Sequence, residues 1–271
     1  IVRTYTQVDK ALLDRAPRLR VVARAGVALE NIDVAACRDR GVEVVHAPEA
    51  NTQAVVEYVL GHMLRALRPL APLHEPVPPE TFHALRRDRV GRQLDRLTVG
   101  ILGFGRIGRR LGGVLHALGV EVLAHDLEPE SRLRELAPWP FRFVDAETLY
   151  AESDVLTVHT DGRSANRHLV NAAVLAQLKP EVLLINAARG LLVDEAALAD
   201  WLRDHPGAQA ILDVVDPEPP TADCPLWGLA GARIEPHLAA RTDTALRNMS
   251  WVVADVWRVL NGQSPQYPAP T

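Results

Sequence analysis

Three residues in the second half of the chain carry side chains that could do chemistry together. Arg189 stands in the segment INAARG, Glu218 in DVVDPEPP and His237 in EPHLAA. A planar guanidinium can bind a carboxylate and its neighbouring keto oxygen. A histidine that is hydrogen-bonded to a carboxylate can donate a proton to a carbonyl oxygen. Together with a dinucleotide fold, these three groups are what transfer of a hydride to a keto acid would need.

Each of the three also has an ordinary structural explanation. Arg189 could be a salt-bridging surface residue, because nearly all basic residues here are arginine; the lysines are Lys10 and Lys179. Glu218 lies in a proline-flanked turn and could be a turn residue only. A lone histidine such as His237 more often makes structural hydrogen bonds than takes part in catalysis. If Glu218 and His237 meet, the carboxylate would raise the pKa of the imidazole and fix its tautomer.

A glycine-rich segment, GFGRIG at 103–108, follows the apolar run TVGIL and precedes all three residues. Gly103 permits a tight turn, Gly105 lets the backbone approach a pyrophosphate, and Gly108 lets a helix pack closely on a strand. The N-terminus of that helix offers N–H groups and partial positive charge to a diphosphate. The spacing therefore predicts a dinucleotide site; a glycine turn selected only for packing is the alternative.

Asp126 ends the next apolar run after this helix. A carboxylate at that position accepts hydrogen bonds from both ribose hydroxyls and repels a 2′-phosphate, which favours NAD over NADP. The alternative is that Asp126 is a solvated strand end.

Short apolar runs alternate with amphipathic helical stretches, which predicts parallel α/β sheets. Asn51 is the expected N-cap of a long helix over 51–68. The predicted strands are LRVVARAG, VEVVHAP, LTVGIL, VEVLAHD, DVLTVHT, VLLINAA, AQAILDVV and ARIEPH. The other predicted helices are VDKALLDRAP, IDVAACRDRG, the stretch after GFGRIG, and TDTALRNMSWVVADVWRVLNG, which should pack back on the first region.

The stretch 69–80 contains five prolines and predicts a surface connection between domains. We therefore expect a first domain of 1–68 with 241–271 and a second domain of 69–240. The chain opens on the strand-like run IVRTYT without an initiator Met, which indicates a missing N-terminal piece such as a strand–helix unit.

Composition narrows the classes of function. The net charge of −4 argues against a nucleic-acid or anionic-membrane surface, and there is neither a long apolar run nor a signal peptide. Cys37 and Cys224 lie outside any metal-ligand or disulfide spacing, so we expect no metal site and a cytoplasmic location.

Taken together, these motifs resemble the NAD-dependent D-2-hydroxyacid dehydrogenase family over essentially the whole chain. LKPEVLLINAARGLLVDEAAL is similar to its arginine segment, DVVDPEPP to its glutamate segment and EPHLAA to its histidine segment. The resemblance implies two Rossmann-like, doubly wound parallel-sheet domains with a cleft between them. It also implies NAD as cofactor and a small 2-hydroxy or 2-keto acid as substrate.

By that resemblance Arg189 binds and polarises the substrate, His237 is the acid–base residue and Glu218 is its partner. The segment ARAGVALENID resembles the loop whose N–H groups near Gly26 and Val27 face the substrate carboxylate. The residues expected along the cofactor are Gly103, Gly105, Arg106, Ile107, Gly108, Asp126, His159, Ala187, Asp213 and Ala239, with Asp213 near the nicotinamide carboxamide.

The run Arg24-Ala25-Gly26 resembles the phosphoglycerate dehydrogenase branch in particular. There Arg24 would either meet a phosphate or carboxylate or be structural. We therefore expect hydride transfer with 3-phosphoglycerate as first choice and glycerate/hydroxypyruvate as second. A non-catalytic NAD-sensing protein on the same fold is the rival. The family also implies a homodimer; the stretch around Trp139 and Phe141 is either its apolar contact or buried core.

Several positions depart from the family pattern, in both the substrate segment and the cofactor segment. Ala28 and Glu30 stand where the substrate loop usually has Gly and Asp, and Glu49 replaces a Gly in HAPEANT. In HTDGRSANRHLVN, Asp161 replaces a Pro and Arg163 a Thr. These changes predict altered substrate fit and altered loop geometry beside the cofactor.

Overall fold

A computed structural model describes residues 1–3, 6–68, 70 and 72–270. Two positions of the strand-like opening run, Thr4 and Tyr5, and Pro69 of the proline-rich stretch lie outside the described residues. The contacts divide the chain into two compact units, Ile1–Ala54 with Ala240–Thr271, and Val55–Ala239. The division falls inside the long helix after Asn51, whereas the sequence placed it after residue 68.

The helices are α1 (Lys10–Arg15), α2 (Val34–Asp39), α3 (Thr52–Leu67), α4 (Pro79–Asp88), α5 (Arg106–Ala117), α6 (Glu130–Leu136), α7 (Ala146–Glu152), α8 (Ala172–Leu175), α9 (Glu195–Asp204), α10 (Asp243–Ser250) and α11 (Val252–Leu260). The strands are β1 (Val21–Arg24), β2 (Glu43–His46), β3 (Thr98–Leu102), β4 (Glu121–His125), β5 (Arg142–Phe143), β6 (Val155–Val158), β7 (Leu183–Asn186), β8 (Gln209–Leu212) and β9 (Ala232–Ile234).

In the first unit, β1 and β2 pair in parallel, and α11 packs on both strands. The predicted return of the C-terminal helix to the first region is therefore confirmed. This stretch forms two helices instead of one, which meet at Trp251. The predicted N-cap of α3 is wrong in one respect: the buried Oδ1 of Asn51 accepts no hydrogen bond from a described residue.

The second unit contains a seven-stranded parallel sheet in the order β5-β4-β3-β6-β7-β8-β9. Its central strands are buried on both faces, as in β6 and β7, where every residue is buried. The chain runs outwards in opposite directions from β3 and β6, so their carboxyl ends form a topological switch point, where such sheets bind ligands. The predicted parallel α/β class is confirmed. The short strand β5 and helix α4, which follows Pro78, were not predicted, and neither were helices α6, α7, α8 and α9.

Aromatic residues of the second unit pack inwards against α5. Phe141 is 7% exposed, and its ring lies 4.8 Å from Phe104 and 5.4 Å from Trp139. A Cβ at Gly112 would lie 2.4 Å from the Trp139 ring, so the glycine makes room for the indole. The stretch around Trp139 and Phe141 was expected to be either an apolar dimer contact or buried core. Phe141 belongs to the buried core. Within the described ranges, no helix is both long and apolar enough to span a bilayer.

Candidate active site

The carboxyl ends of β7, β8 and β9 bring the three candidate segments to one edge of the second unit. Asn186 pairs with Leu212, and Leu212 with Ile234, in the parallel registers. Two further backbone hydrogen bonds, from Asp213 to Asn186 and from Glu235 to Leu212, extend the ladder beyond the strands. The loops that carry Arg189, Glu218 and His237 therefore start from neighbouring strands.

The predicted pairing of histidine and glutamate is present. The Nδ1 atom of His237 lies 3.0 Å from Oε2 of Glu218. The side chain of His237 is 41% exposed and that of Glu218 is 26% exposed. Because a carboxylate accepts the Nδ1–H, the imidazole keeps Nε2 for a ligand.

The backbone of His237 is held in an unusual conformation. Its φ is 55°, which is rare for a residue with a Cβ. The His237 N–H donates to the carbonyl oxygens of Asp213 (2.9 Å) and Glu235 (3.0 Å). The Asp213 carboxylate then accepts the next two N–H groups, from Leu238 at 2.7 Å and Ala239 at 3.0 Å.

Asp213 is 1% exposed, and both of its oxygens hold the loop that carries His237. The sequence pointed to Asp213 as a cofactor residue but missed this structural role. No local sequence pattern indicates this role, because the N–H groups of Leu238 and Ala239 follow β9, whereas Asp213 follows β8. Ala239, another expected cofactor residue, is buried and fixed by this same carboxylate.

Arg189 is presented by a tight turn just after β7. The amide of buried Asn186 donates to the carbonyl oxygen of Arg189 (2.8 Å) and accepts from the N–H of Ala188 (3.1 Å). A Cβ at Gly190 would lie 2.0 Å from the backbone of Val215, so the turn needs glycine. The guanidinium is half-buried, and its Nη1 donates to the carbonyl of Ala188 at 2.6 Å.

The sequence missed Asn186 as a supporting residue. A polar side chain within an apolar run was the available signal, because a buried amide must find hydrogen-bond partners. Ala187, expected along the cofactor, follows it directly and is half-buried.

The glycine-rich turn has a tight face and an open face. Gly103 has φ 92°, and a Cβ there would lie 2.6 Å from the N atom of Thr160. A Cβ at Gly108 would lie 2.4 Å from the carbonyl oxygen of Gly103. At Gly105, the N-cap of α5, a Cβ would meet nothing within 4 Å. The open face at the start of a helix fits the diphosphate of a dinucleotide.

The remaining residues of the motif flank this opening. Arg106 begins α5 and is exposed, and Ile107 is half-buried. Asp126 lies beside the turn, where its Oδ2 accepts the N–H of Phe104 at 2.5 Å and its Oδ1 accepts the N–H of Glu128 at 2.9 Å. The acid is thus fixed at the end of β4 next to the glycine turn.

His159 follows β6 and lines the glycine turn from the other side. A Cβ at Gly103 would lie 2.7 Å from the carbonyl carbon of His159. The imidazole Nε2 lies 2.9 Å from Oγ1 of Thr157, and burial lowers the pKa of His159 to about 4. The ring is therefore neutral at pH 7. Its Nδ1 and the Thr160 hydroxyl are buried without a partner among the described residues, which fits a polar ligand here.

Two of the departures from the family pattern bond to each other. Arg163 donates from Nε to Asp161 at 2.7 Å and from its backbone N–H at 3.1 Å, and Nη2 also contacts the carboxylate. The amide of Asn166 donates to the same residue. This hydrogen bonding with Arg163 lowers the pKa of the Asp161 carboxyl. The loop thus keeps a defined shape without the usual proline.

The first unit carries the predicted substrate loop. Ala47 donates to the carbonyl of Gly26 at 3.0 Å, and Nδ1 of His46 lies 2.8 Å from the carbonyl of Val27. Arg24 is 8% exposed, and its Nη1 donates to the carbonyl of Ala25. A Cβ at Gly26 would lie 2.7 Å from that guanidinium. These contacts fit the structural explanation of Arg24.

The altered residues of this region are on the surface or partly exposed. Glu30 and Glu49 are exposed and Ala28 is half-buried. The carboxylates of Glu30 and Glu49 therefore lie at the surface of the first unit.

A doubly wound sheet with a glycine turn at its switch point defines the second unit as a nucleotide-binding domain of the Rossmann type. The family described as "D-isomer specific 2-hydroxyacid dehydrogenase, NAD binding domain" matches residues 60–239. The chain belongs to this family. The expected oxidoreductase class and the NAD cofactor are thereby confirmed.

Two curated relatives and one solved structure illustrate the similarity. The (S)-sulfolactate dehydrogenase of Chromohalobacter salexigens is 40% identical over 94% of this chain and 82% of its own length. The D-3-phosphoglycerate dehydrogenase of Archaeoglobus fulgidus is 35% identical over 94% of this chain, which spans only 48% of that protein. The Aquifex aeolicus D-lactate dehydrogenase, complexed with NAD and lactic acid, superposes with a TM-score of 0.82 at 26% identity, over 96% of this chain and 82% of that one.

We expect Gly105→Ala to weaken NADH binding while the fold is preserved. The new methyl group meets no protein atom within 4 Å, yet it enters the space expected for the diphosphate. A clash of this size should weaken binding about 10- to 100-fold. NADH fluorescence titration and thermal melting measure the two effects. Gly61→Ala, on the open surface of α3, is the matched control and should bind like wild type. Unchanged NADH affinity in Gly105→Ala would contradict the assignment of the open face.

We expect acid to destabilise the cofactor-free protein through His159. Its folded pKa of about 4 lies below the ordinary histidine value of about 6.5, so the unfolded state binds the proton first as the pH falls. The free energy of unfolding should therefore decrease between about pH 6.5 and pH 4, by about 2 kcal/mol at pH 4.5.

Urea unfolding at pH 7.5 and pH 4.5 measures this loss in wild type, in His159→Gln and in the control His83→Gln. His159→Gln should lose less stability on acidification than wild type, whereas the surface variant should follow wild type. An equal acid loss in all three proteins would show that His159 is not the responsible group.

Proposed function

We propose that the protein transfers a hydride between NAD(H) and a small D-2-hydroxy acid or its 2-keto acid, with His237, Glu218 and Arg189 at the reacting centre. The observation that carries this proposal is the 3.0 Å contact between His237 and Glu218, which leaves the imidazole Nε2 for the substrate oxygen. Membership of the dehydrogenase family supports the same reaction class.

In the direction of reduction, the substrate carbonyl becomes a hydroxyl. A bound NADH would supply the hydride to the carbonyl carbon, and the Nε2–H of His237 donates a proton to the oxygen. Glu218 stabilises the imidazole that carries this proton, and Arg189 binds the carboxylate and polarises the carbonyl. The oxidation of the hydroxy acid reverses both transfers, with His237 as base.

The cofactor contacts are proposed on the geometry of the second unit. Gly105, at the start of α5 and beside Gly103 and Gly108, would hold the diphosphate, with Arg106 and Ile107 in the first turn. Asp126 would bind the adenosine ribose, and Asp213 would lie near the carboxamide. His159, Ala187 and Ala239 line the remaining wall. In the first unit, the family resemblance assigns the loop around Gly26 and Val27 to the substrate carboxylate; the Gly26 N–H donates to the carbonyl of Arg24 at 2.8 Å, and Arg24 supports this loop.

We propose a three-carbon acid with a second anion at C3 as substrate. Sulfolactate and 3-phosphoglycerate, after which two relatives are named, share this chemistry. The two names also agree in configuration. In sulfolactate the sulfur-bearing carbon outranks the carboxyl, so its (S) centre has the same spatial arrangement as the D centre of 3-phosphoglycerate. 3-Phosphoglycerate or sulfolactate is therefore favoured, with glycerate/hydroxypyruvate as the alternative.

The rival interpretation is a non-catalytic NAD sensor. The formed pair of His237 and Glu218 favours the enzyme, because binding NAD alone requires neither side chain. We further propose a homodimer, on the family resemblance, and a cytoplasmic location, which the free thiols of Cys37 and Cys224 support.

The proposal predicts separate effects on catalysis and binding. His237→Gln should lower kcat by about 10²- to 10⁴-fold, because the proton donor is lost. Glu218→Gln should lower kcat by about 10- to 100-fold, because a charge-assisted hydrogen bond is lost. Both variants should bind NADH like wild type. The assay is NADH oxidation with phosphohydroxypyruvate, sulfopyruvate and hydroxypyruvate, with the D-acids and NAD in reverse.

His83→Gln, an exposed histidine of α4, is the control and should keep full activity. No turnover of any acid by wild type, together with tight NADH binding, would favour the NAD sensor. Full activity of His237→Gln would remove this residue from the mechanism.

A further inference from the structure

The loop that carries Glu218 is poor in backbone donors. We call residues 216–224 the glutamate loop. Pro217, Pro219 and Pro220 have no amide hydrogen, so three of the four residues that follow Asp216 cannot donate a backbone hydrogen bond. The next three residues, 221–223, are exposed. The position of Glu218 therefore depends on how the two ends of the glutamate loop are held.

Glu195, the first residue of α9, contacts both ends of this loop. Its Oε1 accepts the N–H of Asp216 at 2.7 Å, and its Oε2 lies 3.6 Å from Sγ of Cys224, whose thiol donates. Asp216 begins the glutamate loop and Cys224 ends it. One carboxylate thus joins the two ends, and the N–H of Asp216 is the stronger of the two donors, since a thiol is a weak one.

The other contacts of the two ends are weaker or local. Asp216 also pairs with Arg167 at 2.9 Å, but both side chains of this ion pair are exposed, and exposed ion pairs contribute little to stability. The N–H of Cys224 donates to the carbonyl of Thr221 at 3.2 Å, which is a contact within the glutamate loop. Glu195 is therefore the residue of another element that holds both ends.

The environment of Glu195 explains why its carboxylate stays on the loop. The side chain is partly buried, and burial raises the pKa of this carboxyl, while the hydrogen bonds from Asp216 and Cys224 oppose the increase. A carboxylate that loses its hydration needs donors in place of water. The donors that it finds here are the two ends of the glutamate loop.

Glu195 also connects the glutamate loop to the segment that carries Arg189. A Cβ at Gly190, directly after this arginine, would lie 2.0 Å from the backbone of Val215 and 2.7 Å from the N atom of Asp216. The turn after Arg189 and the start of the glutamate loop are thus in backbone contact. The same segment then supplies, at Glu195, the carboxylate that holds the loop.

We propose that Glu195 is a positioning residue that sets the contact between Glu218 and His237. By holding both ends of the glutamate loop, it keeps Oε2 of Glu218 at 3.0 Å from Nδ1 of His237. It acts on the reaction through Glu218, while Arg189 and the glycine turn keep their positions without it. The inference rests on the proposed roles of His237 and Glu218.

Kinetics of Glu195 variants in the NADH oxidation assay test this role. Glu195→Ala should lower kcat about 10-fold, with KM for the keto acid and the affinity for NADH within about threefold of wild type. Glu195→Gln keeps an oxygen that accepts the Asp216 N–H and should restore most of kcat. Glu195→Asp keeps the charge at the start of α9 but shortens its reach, and should lower kcat like Glu195→Ala. In the Glu218→Gln background, Glu195→Ala should lower kcat by less than about threefold more, since the residue that it positions is already impaired.

The tautomer of His237 provides a measurement that needs no keto acid. Because Glu218 accepts the Nδ1–H, the neutral imidazole carries its proton on Nδ1. Nitrogen-15 NMR distinguishes this form from the Nε2–H form, and His237→Gln assigns the signals. Glu195→Ala and Glu195→Asp should shift His237 towards the Nε2–H form. Glu195→Gln should keep the wild-type tautomer, and so should the control Glu147→Ala, which removes an exposed acid from the first turn of α7.

Wild-type kcat and the wild-type tautomer in both Glu195→Ala and Glu195→Asp would overturn the proposal. A rise in KM for the keto acid without a decrease in kcat would also overturn it, because Glu195 would then act through Arg189. So would a loss of kcat that persists in full in the Glu218→Gln background. A wild-type protein that turns over no acid, but whose His237 tautomer still depends on Glu195, would contradict only the proposed reaction.

Discussion

The candidate active site depends on the buried carboxylate of Asp213. Its two oxygens accept the N–H groups of Leu238 and Ala239, while its own carbonyl accepts the N–H of His237. Hydrogen bonds to a carboxylate are roughly twice as strong as neutral ones. They offset the cost of the left-handed backbone at His237, which is of order 1–3 kcal/mol. The contact between this histidine and Glu218 exists because the loop is fixed.

The same arrangement, a carboxylate that accepts backbone N–H groups of another segment, recurs along the sheet of the second unit. Asp126, just after β4, accepts the N–H of Phe104 and so fixes the glycine turn. Asp154, just before β6, accepts the N–H of Thr98 and an ammonium hydrogen of Lys179. In each case a carboxylate beside one strand orders the backbone of a neighbouring segment. The nucleotide turn and the histidine loop are thus extensions of the sheet, which explains how irregular segments hold defined positions for chemistry.

Much of this architecture follows from local patterns in the sequence. The apolar runs predicted β3, β6 and β7, and the glycine spacing predicted the turn at Gly103. The sequence indicated that a contact between His237 and Glu218 would support catalysis. It could not show whether the two side chains meet. Contacts between distant segments, such as the hydrogen bond from the Ala239 N–H to the Asp213 carboxylate, could not be predicted. The ion pair of Asp161 and Arg163 was also missed, because each residue was recognised only as a departure from the family pattern. Helix α4 was hidden among prolines, since Pro78 and Pro79 can also begin a helix.

The most direct test of the central claim is amide hydrogen exchange at Leu238 and Ala239, measured together with kcat in wild type, Asp213→Asn and Glu218→Gln. The account predicts that Asp213→Asn loses protection at these two amides and loses turnover, while amides of β6 stay protected. Glu218→Gln should lower kcat by about 10- to 100-fold with protection unchanged. Unchanged protection in Asp213→Asn, or full turnover after protection is lost, would contradict the claim that this carboxylate builds the site.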